Sequence, residues 1–133
     1  MLFTFLITTT GPTTEANKKK STLALCQGRI TRLAVVFPTG SAGLLHFHLN
    51  RALHQIFPKS PGETLSGDGF IYNSQEVLEI TEPPFELEAY TWNLDDTYDH
   101  DVIVMIEIIP YAVLEELRKF KEAYEAITTL TGV

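Results

Sequence analysis

Two histidines, His46 and His48, have the type and spacing of metal ligands. They alternate with apolar residues in the segment LLHFHL, so on a strand both imidazole rings point to the same face. Imidazole nitrogens are common ligands of zinc and of other transition metals. A pair of this kind makes a transition-metal site one hypothesis, and an ordinary surface or interface role the other.

The spacing of Gly40, five further residues and then His-x-His resembles the opening of the cupin motif, and cupins are jelly-roll proteins that hold a metal inside the barrel. The resemblance stops there, because residues 49–53 read LNRAL where the motif has a glutamate. The alternation also directs the leucine and phenylalanine residues of the segment into the core and His46 and His48 outward. We therefore predict that the histidines hold no catalytic metal, with a cupin-like metalloenzyme as the weaker alternative.

A second cluster consists of carboxylates in the segment NLDDTYDHD. It comprises Asp95, Asp96, Asp99 and Asp101. Clustered carboxylates can bind calcium, which takes about six to eight oxygen ligands, but the spacing is not that of an EF-hand loop. Aspartates in turns also accept hydrogen bonds from nearby backbone amides. Because Tyr90, Trp92 and Tyr98 are near, the alternatives are a calcium- or carbohydrate-binding module and a solvated turn with aromatic residues packed beside it.

Other catalytic signatures are missing from the sequence. It has no G-x-S-x-G segment, and its glycines do not form a phosphate-binding motif between a strand and a helix. Its single cysteine, Cys26, cannot form an internal disulfide. We therefore expect a protein that is not an enzyme and that needs no cofactor.

Length, charge and hydropathy limit the remaining classes. The chain has 133 residues, enough for one domain with a real core, and a formal net charge of −7. An acidic chain has no general attraction for nucleic acid or for an anionic membrane, so we expect neither as a partner. The N-terminal MLFTFLI lacks the features of a signal peptide, and no apolar run reaches the ~20 residues of a membrane-spanning helix.

Alternating apolar residues predict about eight short strands, separated by turn signals rather than by helices. We expect strands at residues 2–8, 22–26, 30–37, 44–49, 70–72, 76–81, 85–90 and 102–109. Residues 30–49 are expected to form one hairpin, and residues 85–109 a longer hairpin with an acidic tip. Residues 9–21, with three successive lysines, are expected to be a loop or arm, and residues 50–57 fit either a helical turn or a strand.

The period changes after Pro110, which suits the first position of a helix. Large apolar residues then recur at helical spacing, and opposite charges lie four residues apart on the other face. The apolar residues are Val113, Leu114, Leu117, Phe120, Tyr124 and Ile127. We expect a C-terminal helix over residues 110–130, whose apolar stripe covers its own sheet or a neighbouring subunit.

Together these elements predict a mainly β protein, an antiparallel two-sheet sandwich that is jelly-roll-like and carries one C-terminal α-helix. We expect the whole chain, 1–133, to be a single domain. It divides into an N-terminal strand and arm at 1–21, the sandwich at 22–109 and the helix at 110–130.

Two segments, GRITRLAVVFPTGSAGLLHFHL and PPFELEAYTWNLDDTYDHDVIV, resemble those of small β-sandwich proteins found among the structural genes of tailed phages. The resemblance covers about residues 28–109 and consists of framework residues: a G-x-I-T strand, an F-P-x-G-x-A-G-L turn and a Y/W-N-L-D-D-T-Y-x-H tip. It implies a role in the virion, in the capsid or the tail, or in its assembly. It implies no catalytic residue.

The N-terminal strand is apolar on both faces, and a free apolar face is costly in water. We therefore expect a neighbouring subunit to cover one face, by strand exchange through the arm at residues 9–21. The interface candidates are Phe3, Phe5, Ile7, Leu117, Phe120 and Tyr124. The expected function is a non-enzymatic structural subunit, most simply of a virion, that contacts copies of itself and other structural proteins.

Overall fold

The computed structural model describes residues 1–76 and 78–131, which form a β-sandwich with a C-terminal helix. The strands are β1 (Leu2–Thr9), β2 (Lys19–Ala24), β3 (Gly28–Phe37), β4 (Leu45–Arg51), β5 (His54–Phe57), β6 (Phe70–Ser74), β7 (Leu78–Ile80), β8 (Glu86–Asn93) and β9 (His100–Pro110). The helix is α1 (Tyr111–Thr131), and a short 3-10 turn, Glu15–Asn17, lies between β1 and β2. Among the described residues no helix is long and apolar enough to cross a membrane.

Two antiparallel sheets pack against each other. Sheet I has the strand order β1-β9-β3-β6, with β7 also paired to β3, and sheet II has the order β2-β8-β4-β5. β6 pairs with the second half of β3 and β7 with its start, so together they act as one interrupted edge strand. With β6 and β7 counted as one, this is the strand order of a jelly roll. The expected mainly β, two-sheet sandwich with one C-terminal helix is confirmed.

The predicted hairpins are wrong. β8 pairs with β2 and β4 in sheet II, whereas β9 pairs with β1 and β3 in sheet I. β3 and β4 are likewise in different sheets. Residues 94–99 therefore do not close a hairpin but carry the chain from one sheet to the other. Alternation identifies the apolar face of a strand and contains no information about the sheet that the strand joins.

The core lies between the sheets and consists of the inward side chains of both. In β4, Leu45, Phe47 and Leu49 are fully buried, as the alternation predicts. Sheet I contributes Ile7, Ile30, Leu33, Val35, Phe37, Ile80, Val102, Val104, Ile106 and Ile108, and sheet II adds Leu23, Phe57, Leu87 and Ala89. Burying one such side chain stabilises the fold by roughly 1.5–3 kcal/mol. This single layer is therefore the main source of the stability of the sandwich.

In one segment the structure decides between two predicted alternatives, and in another it differs from the prediction. Residues 50–57 form the end of β4 and the strand β5, with Ala52 in the left-handed conformation (φ 53°) at the turn between them. Lys19 and Lys20, expected in a loop, begin β2 and pair with β8. The strand ladder satisfies the backbone groups of these lysines while their charged ends reach water, so a run of lysines does not exclude a strand.

β1 is the edge strand of its own sheet. It pairs with β9 over all eight of its residues, and the amino group of Met1 donates to the Ile108 carbonyl at 2.9 Å. In the structure β1 therefore pairs within its own sandwich, which is the alternative to strand exchange. The inner face of β1 packs on the core, so a neighbouring subunit that covers a face of this strand would meet its outward face.

Candidate functional site

α1 follows β9 directly and leaves the sandwich within its first turns. The Tyr111 amide donates to the Gln27 carbonyl at 2.8 Å, which ties the start of the helix to the connection between β2 and β3. Leu114 and Glu115 are half-buried and line a cleft of about 460 Å³ beside the start of β3. From residue 116 to 130 nearly every side chain is exposed. Most of the helix therefore projects away from its own domain.

The apolar stripe of α1 faces solvent along its length. We define the helix stripe as Val113, Leu117, Phe120, Tyr124 and Ile127. In that order these side chains are 47, 56, 74, 62 and 60 % exposed. Monomeric proteins rarely leave contiguous apolar surface of this kind in water. The helix stripe, which includes the three interface candidates predicted on α1, is therefore the first candidate for a contact surface.

The other sides of α1 carry ion pairs within the helix. Arg118 donates to Glu115 and to Glu122, both at 2.8 Å. The hydrogen bond from Arg118 lowers the pKa of Glu115, and the same contact raises the pKa of Arg118. Because Arg118 and Glu122 are exposed and Glu115 is only half-buried, solvent and salt screen the pairs and each adds little to stability. Water is the natural environment of these sides of the helix.

A second apolar surface crosses the outer face of sheet I. The strand registers align four aliphatic side chains, one from each of four strands, and we call them the outer row: Leu6, Ile103, Val36 and Ile71. Leu6 and Ile71, at the two ends, are 65 and 58 % exposed, and the two central side chains are half-buried. The outer face of sheet I thus presents an apolar band to solvent.

The interface candidates on β1 pack inward. Ile7 is buried, and Phe3 and Phe5 are half-buried against the core cluster. The outward apolar residues of β1 are Leu2 and Leu6, which are exposed and alternate with Thr4 and Thr8. Pairing with β9 decides which of the two apolar faces of this strand is covered by its own chain. A partner would therefore meet Leu2 and Leu6 rather than the two phenylalanines.

His46 and His48 lie on the outer face of sheet II, the side that the alternation predicts for them. The ring of His46 stacks on Trp92 at 5.2 Å between centroids, and that of His48 stacks on Tyr90 at 4.9 Å. The Lys18 amino group lies 5.1 Å from the centre of the Tyr90 ring. Residues of the same chain therefore occupy the ring faces of Trp92 and Tyr90 on which a sugar would stack.

Burial favours the neutral form of both histidines. It lowers the pKa of His46 and of His48 below the ordinary value of 6.5, and the positive charge of Lys18 lowers the pKa of His48 further, against a hydrogen bond to Asn50. His48 Nδ1 lies 2.8 Å from Asn50 Oδ1, and its Nε2 lies 3.2 Å from the Lys18 amino group. A neutral ring with its proton on Nδ1 satisfies both contacts, because Nε2 can then accept from Lys18. Partners within the chain thus use both nitrogens of His48.

The acidic cluster forms its own hydrogen-bonded turn. The Asp95 carboxylate accepts from His100 Nε2 at 2.7 Å and from the Thr97 amide at 2.9 Å. These two contacts, the first above all, lower the pKa of Asp95. Asp101 accepts from the Thr8 hydroxyl at 2.6 Å. The Asp96 carboxylate accepts from the Thr97 hydroxyl at 2.9 Å. Three of the four carboxylates that the sequence proposes for calcium are therefore acceptors in hydrogen bonds within the chain, as aspartates in turns commonly are.

Within residues 1–76 and 78–131, no three His, Cys, Asp or Glu side chains are close enough to bind one metal ion together. Comparisons of the chain with protein-family models, with curated proteins and with solved structures gave no match. The two exposed apolar surfaces, the helix stripe and the outer row, are the structural features on which a functional proposal can rest. The helical spacing of apolar residues in α1 predicts the helix stripe. The outer row joins four strands, and no local pattern of the sequence predicts how these strands pair.

Proposed function

We propose that this chain is a non-enzymatic structural subunit that assembles with copies of itself through its exposed apolar surfaces. The observation that carries the proposal is the helix stripe, in which five large apolar side chains are 47–74 % exposed. Each such side chain that a partner buries stabilises the contact by roughly 1.5–3 kcal/mol, before the entropy of association is subtracted. A stripe of this size can support a specific contact.

The outer row supports the same proposal. Sheet II carries charged and aromatic side chains such as Lys20, Glu88 and His48 on its outer face, as a sheet that meets water does. Sheet I carries Leu6 and Ile71 there, beside charged residues such as Arg32 and Glu107. Both apolar surfaces involve β9 or the helix that continues it, and these elements are the assembly side of the subunit.

The assembly that we propose is a virion, with this chain in the capsid or the tail beside other structural proteins. The framework segments within residues 28–109 that resemble phage structural proteins support it, and capsid domains are among the proteins built as jelly rolls. Because the same fold serves lectins and enzymes, the location needs its own test. An antibody against the chain should label purified virus particles from its source, and particles that lack the chain would contradict this location.

The assembly itself is tested by the native mass of the purified full chain over a range of concentrations. We expect a mass above the 14.9 kDa of one chain. The variant Leu117→Ser/Phe120→Ser should lower that mass, because it replaces two side chains of the helix stripe by polar ones. The matched control, Lys119→Ser/Glu122→Ser, changes two exposed residues at the same spacing on another side of the helix and should not. A full-length chain that stays monomeric at high concentration contradicts the proposal.

A further inference from the structure

We infer that α1 joins copies of this chain as a parallel, in-register bundle of at least three helices, an inference that rests on the proposed assembly function. The residues of the helix stripe follow one another at intervals of four, three, four and three. This is a period of 3.5 residues, which is typical of helices that wind around one another in a coiled coil. In heptad notation Leu117 and Tyr124 are at a, and Val113, Phe120 and Ile127 are at d.

α1 has little support of its own in the monomer. Most helices in proteins are stabilised by the packing of an apolar face rather than by helix propensity alone. α1 has 21 residues; it contacts β3 and β9 of the sandwich, and nearly all of its side chains from residue 116 to 130 are exposed. In a bundle, the a and d side chains of every copy are buried together, which supplies the missing packing.

The charges beside the stripe determine the orientation of the helices. Glu116 is at g and Lys121 is at e, five residues later. In a parallel, in-register pair a g side chain meets the e side chain five residues further along the other helix, so Glu116 of one copy meets Lys121 of the next. In an antiparallel pair e side chains face each other, and Lys121 of two copies would repel. The charge pattern therefore favours the parallel arrangement.

Both charged side chains are available for this contact. Glu116 is 78 % exposed and Lys121 is 77 % exposed. Their ion pairs within the helix, with Lys119 and Glu125, are long, both at 3.9 Å. Contacts at this distance between exposed groups are weak, so the side chains can turn toward a neighbouring helix at little cost.

The side chains at a and d determine the number of copies. Leucine at a with β-branched residues at d favours three or four helices over two. Three of the five positions of the helix stripe follow this pattern, with Leu117 at a and Val113 and Ile127 at d, and the aromatic Tyr124 and Phe120 fill the other two. Leu114 at e and Leu130 at g widen the apolar stripe beyond the two positions that a dimer uses. The helix stripe is therefore suited to two or more further copies of this chain.

A charge swap on the full chain, read by native mass and sedimentation equilibrium, tests the inference. Glu116→Lys and Lys121→Glu each bring like charges together in every parallel contact, and each should weaken assembly by about tenfold or more. The double variant E116K/K121E restores opposite charges and should recover assembly. Lys119→Glu and Glu122→Lys make the same charge changes at positions c and f, outside the contact, and should leave assembly unchanged.

The outcomes separate this inference from the proposed function. An oligomer that is insensitive to the two reversals, or that the double variant does not recover, overturns the parallel bundle and leaves assembly in place. A wild-type dimer overturns the inferred number of copies. A monomer at all concentrations overturns the bundle and the assembly function together.

A disulfide trap gives a readout that does not depend on charge. With Cys26→Ser as background, Val113→Cys should form a disulfide between copies on oxidation, because in-register d residues of parallel helices are adjacent. In a fully overlapping antiparallel pair the same positions would be roughly 25 Å apart, far beyond the reach of a disulfide. An oligomer without this cross-link overturns the parallel register.

Discussion

The core of the sandwich and the helix stripe contain the same kinds of side chains and differ in what covers them. Phe47 in β4 is completely buried, whereas Phe120 in α1 is 74 % exposed. Both phenylalanines lie on faces that sequence periodicity identifies as apolar. Periodicity therefore locates an apolar face, while the cover of that face is decided elsewhere, by the opposite sheet for Phe47 and, in our proposal, by other subunits for Phe120.

Backbone hydrogen bonding explains why the two regions can differ in this way. A strand such as β9 needs neighbours, and its ladders with β1 and β3 fix which of its faces is turned inward. A helix satisfies its backbone groups internally, so its position relative to the sandwich is not fixed by hydrogen bonds beyond its first turn. The helix stripe can therefore stay accessible after the domain has folded.

Removing residues 1–10 should have the largest effect on the sandwich. The deletion takes away β1, uncovers the edge of β9 and removes Phe3, Phe5 and Ile7 from the core. At roughly 1.5–3 kcal/mol for each buried side chain, this loss is comparable to the whole stability of a small domain. We expect no cooperative unfolding transition in calorimetry. Strand exchange predicts instead a folded domain of lower native mass, and that result would contradict the placement of β1.

The pair Phe47→Ala and Phe120→Ala tests the comparison of the two regions directly. Phe47→Ala should destabilise the sandwich by about 3–5 kcal/mol, because it leaves a cavity in the core. Phe120→Ala should change the unfolding of the sandwich little and lower the native mass instead. Urea denaturation and native mass spectrometry measure the two effects. If both variants changed the unfolding of the sandwich equally, the helix stripe would not be the independent surface that we propose.

The sequence predicts the faces of the elements better than their partners. Leu45, Phe47 and Leu49 point inward, as the alternation of β4 predicts, and the helix expected at 110–130 spans Tyr111–Thr131. The sequence does not predict that β8 and β9 lie in different sheets, because a short connection can either close a hairpin or cross between sheets. Local patterns reach only as far as one element, so the errors in strand pairing concern contacts between elements, whereas the misplaced start of β2 at Lys19 is an error of bounds.

The candidate sites follow the same division. The alternation within β4 predicts that His48 points outward. It does not predict the contact of His48 with Lys18, which lies 30 positions away in the sequence. Likewise the two apolar faces of β1 are visible in the sequence, whereas only pairing with β9 shows that Leu2 and Leu6 are the outward pair. Tertiary contacts of this kind set the burial and the pKa of a side chain, and local sequence patterns do not contain them.

Acid should weaken the sandwich through His48, by less than the core substitution. The folded-state pKa of His48 is below 6.5, so the unfolded chain binds a proton at a higher pH than the folded one. Stability is therefore complete above about pH 6.5 and falls as the pH decreases toward the folded pKa. Melting temperatures between about pH 8 and about pH 5 should show this fall. The fall in melting temperature should be smaller in His48→Gln than in the wild type. It should be unchanged in the control His54→Gln, which alters an exposed histidine of β5. If His48→Gln and the wild type had the same pH profile, His48 would not be the source of the fall.

Asp95→Asn in the acidic cluster should have the smallest effect. Asparagine keeps an oxygen that can accept from the Thr97 amide, and it loses the charge and the hydrogen bond from His100, because an amide nitrogen replaces Oδ2. Because the folded pKa of Asp95 is lowered, its contribution is present above about 3.8, the ordinary value, and is lost as the pH falls through the folded pKa. The small difference in melting temperature between Asp95→Asn and wild type should therefore be present at neutral pH and disappear in acid, and calcium should change neither protein. A ligand that binds only the folded state raises its melting temperature. If calcium strongly raised the melting temperatures of the wild type and of the control Asp96→Asn, but not that of Asp95→Asn, the acidic cluster would instead be a binding site.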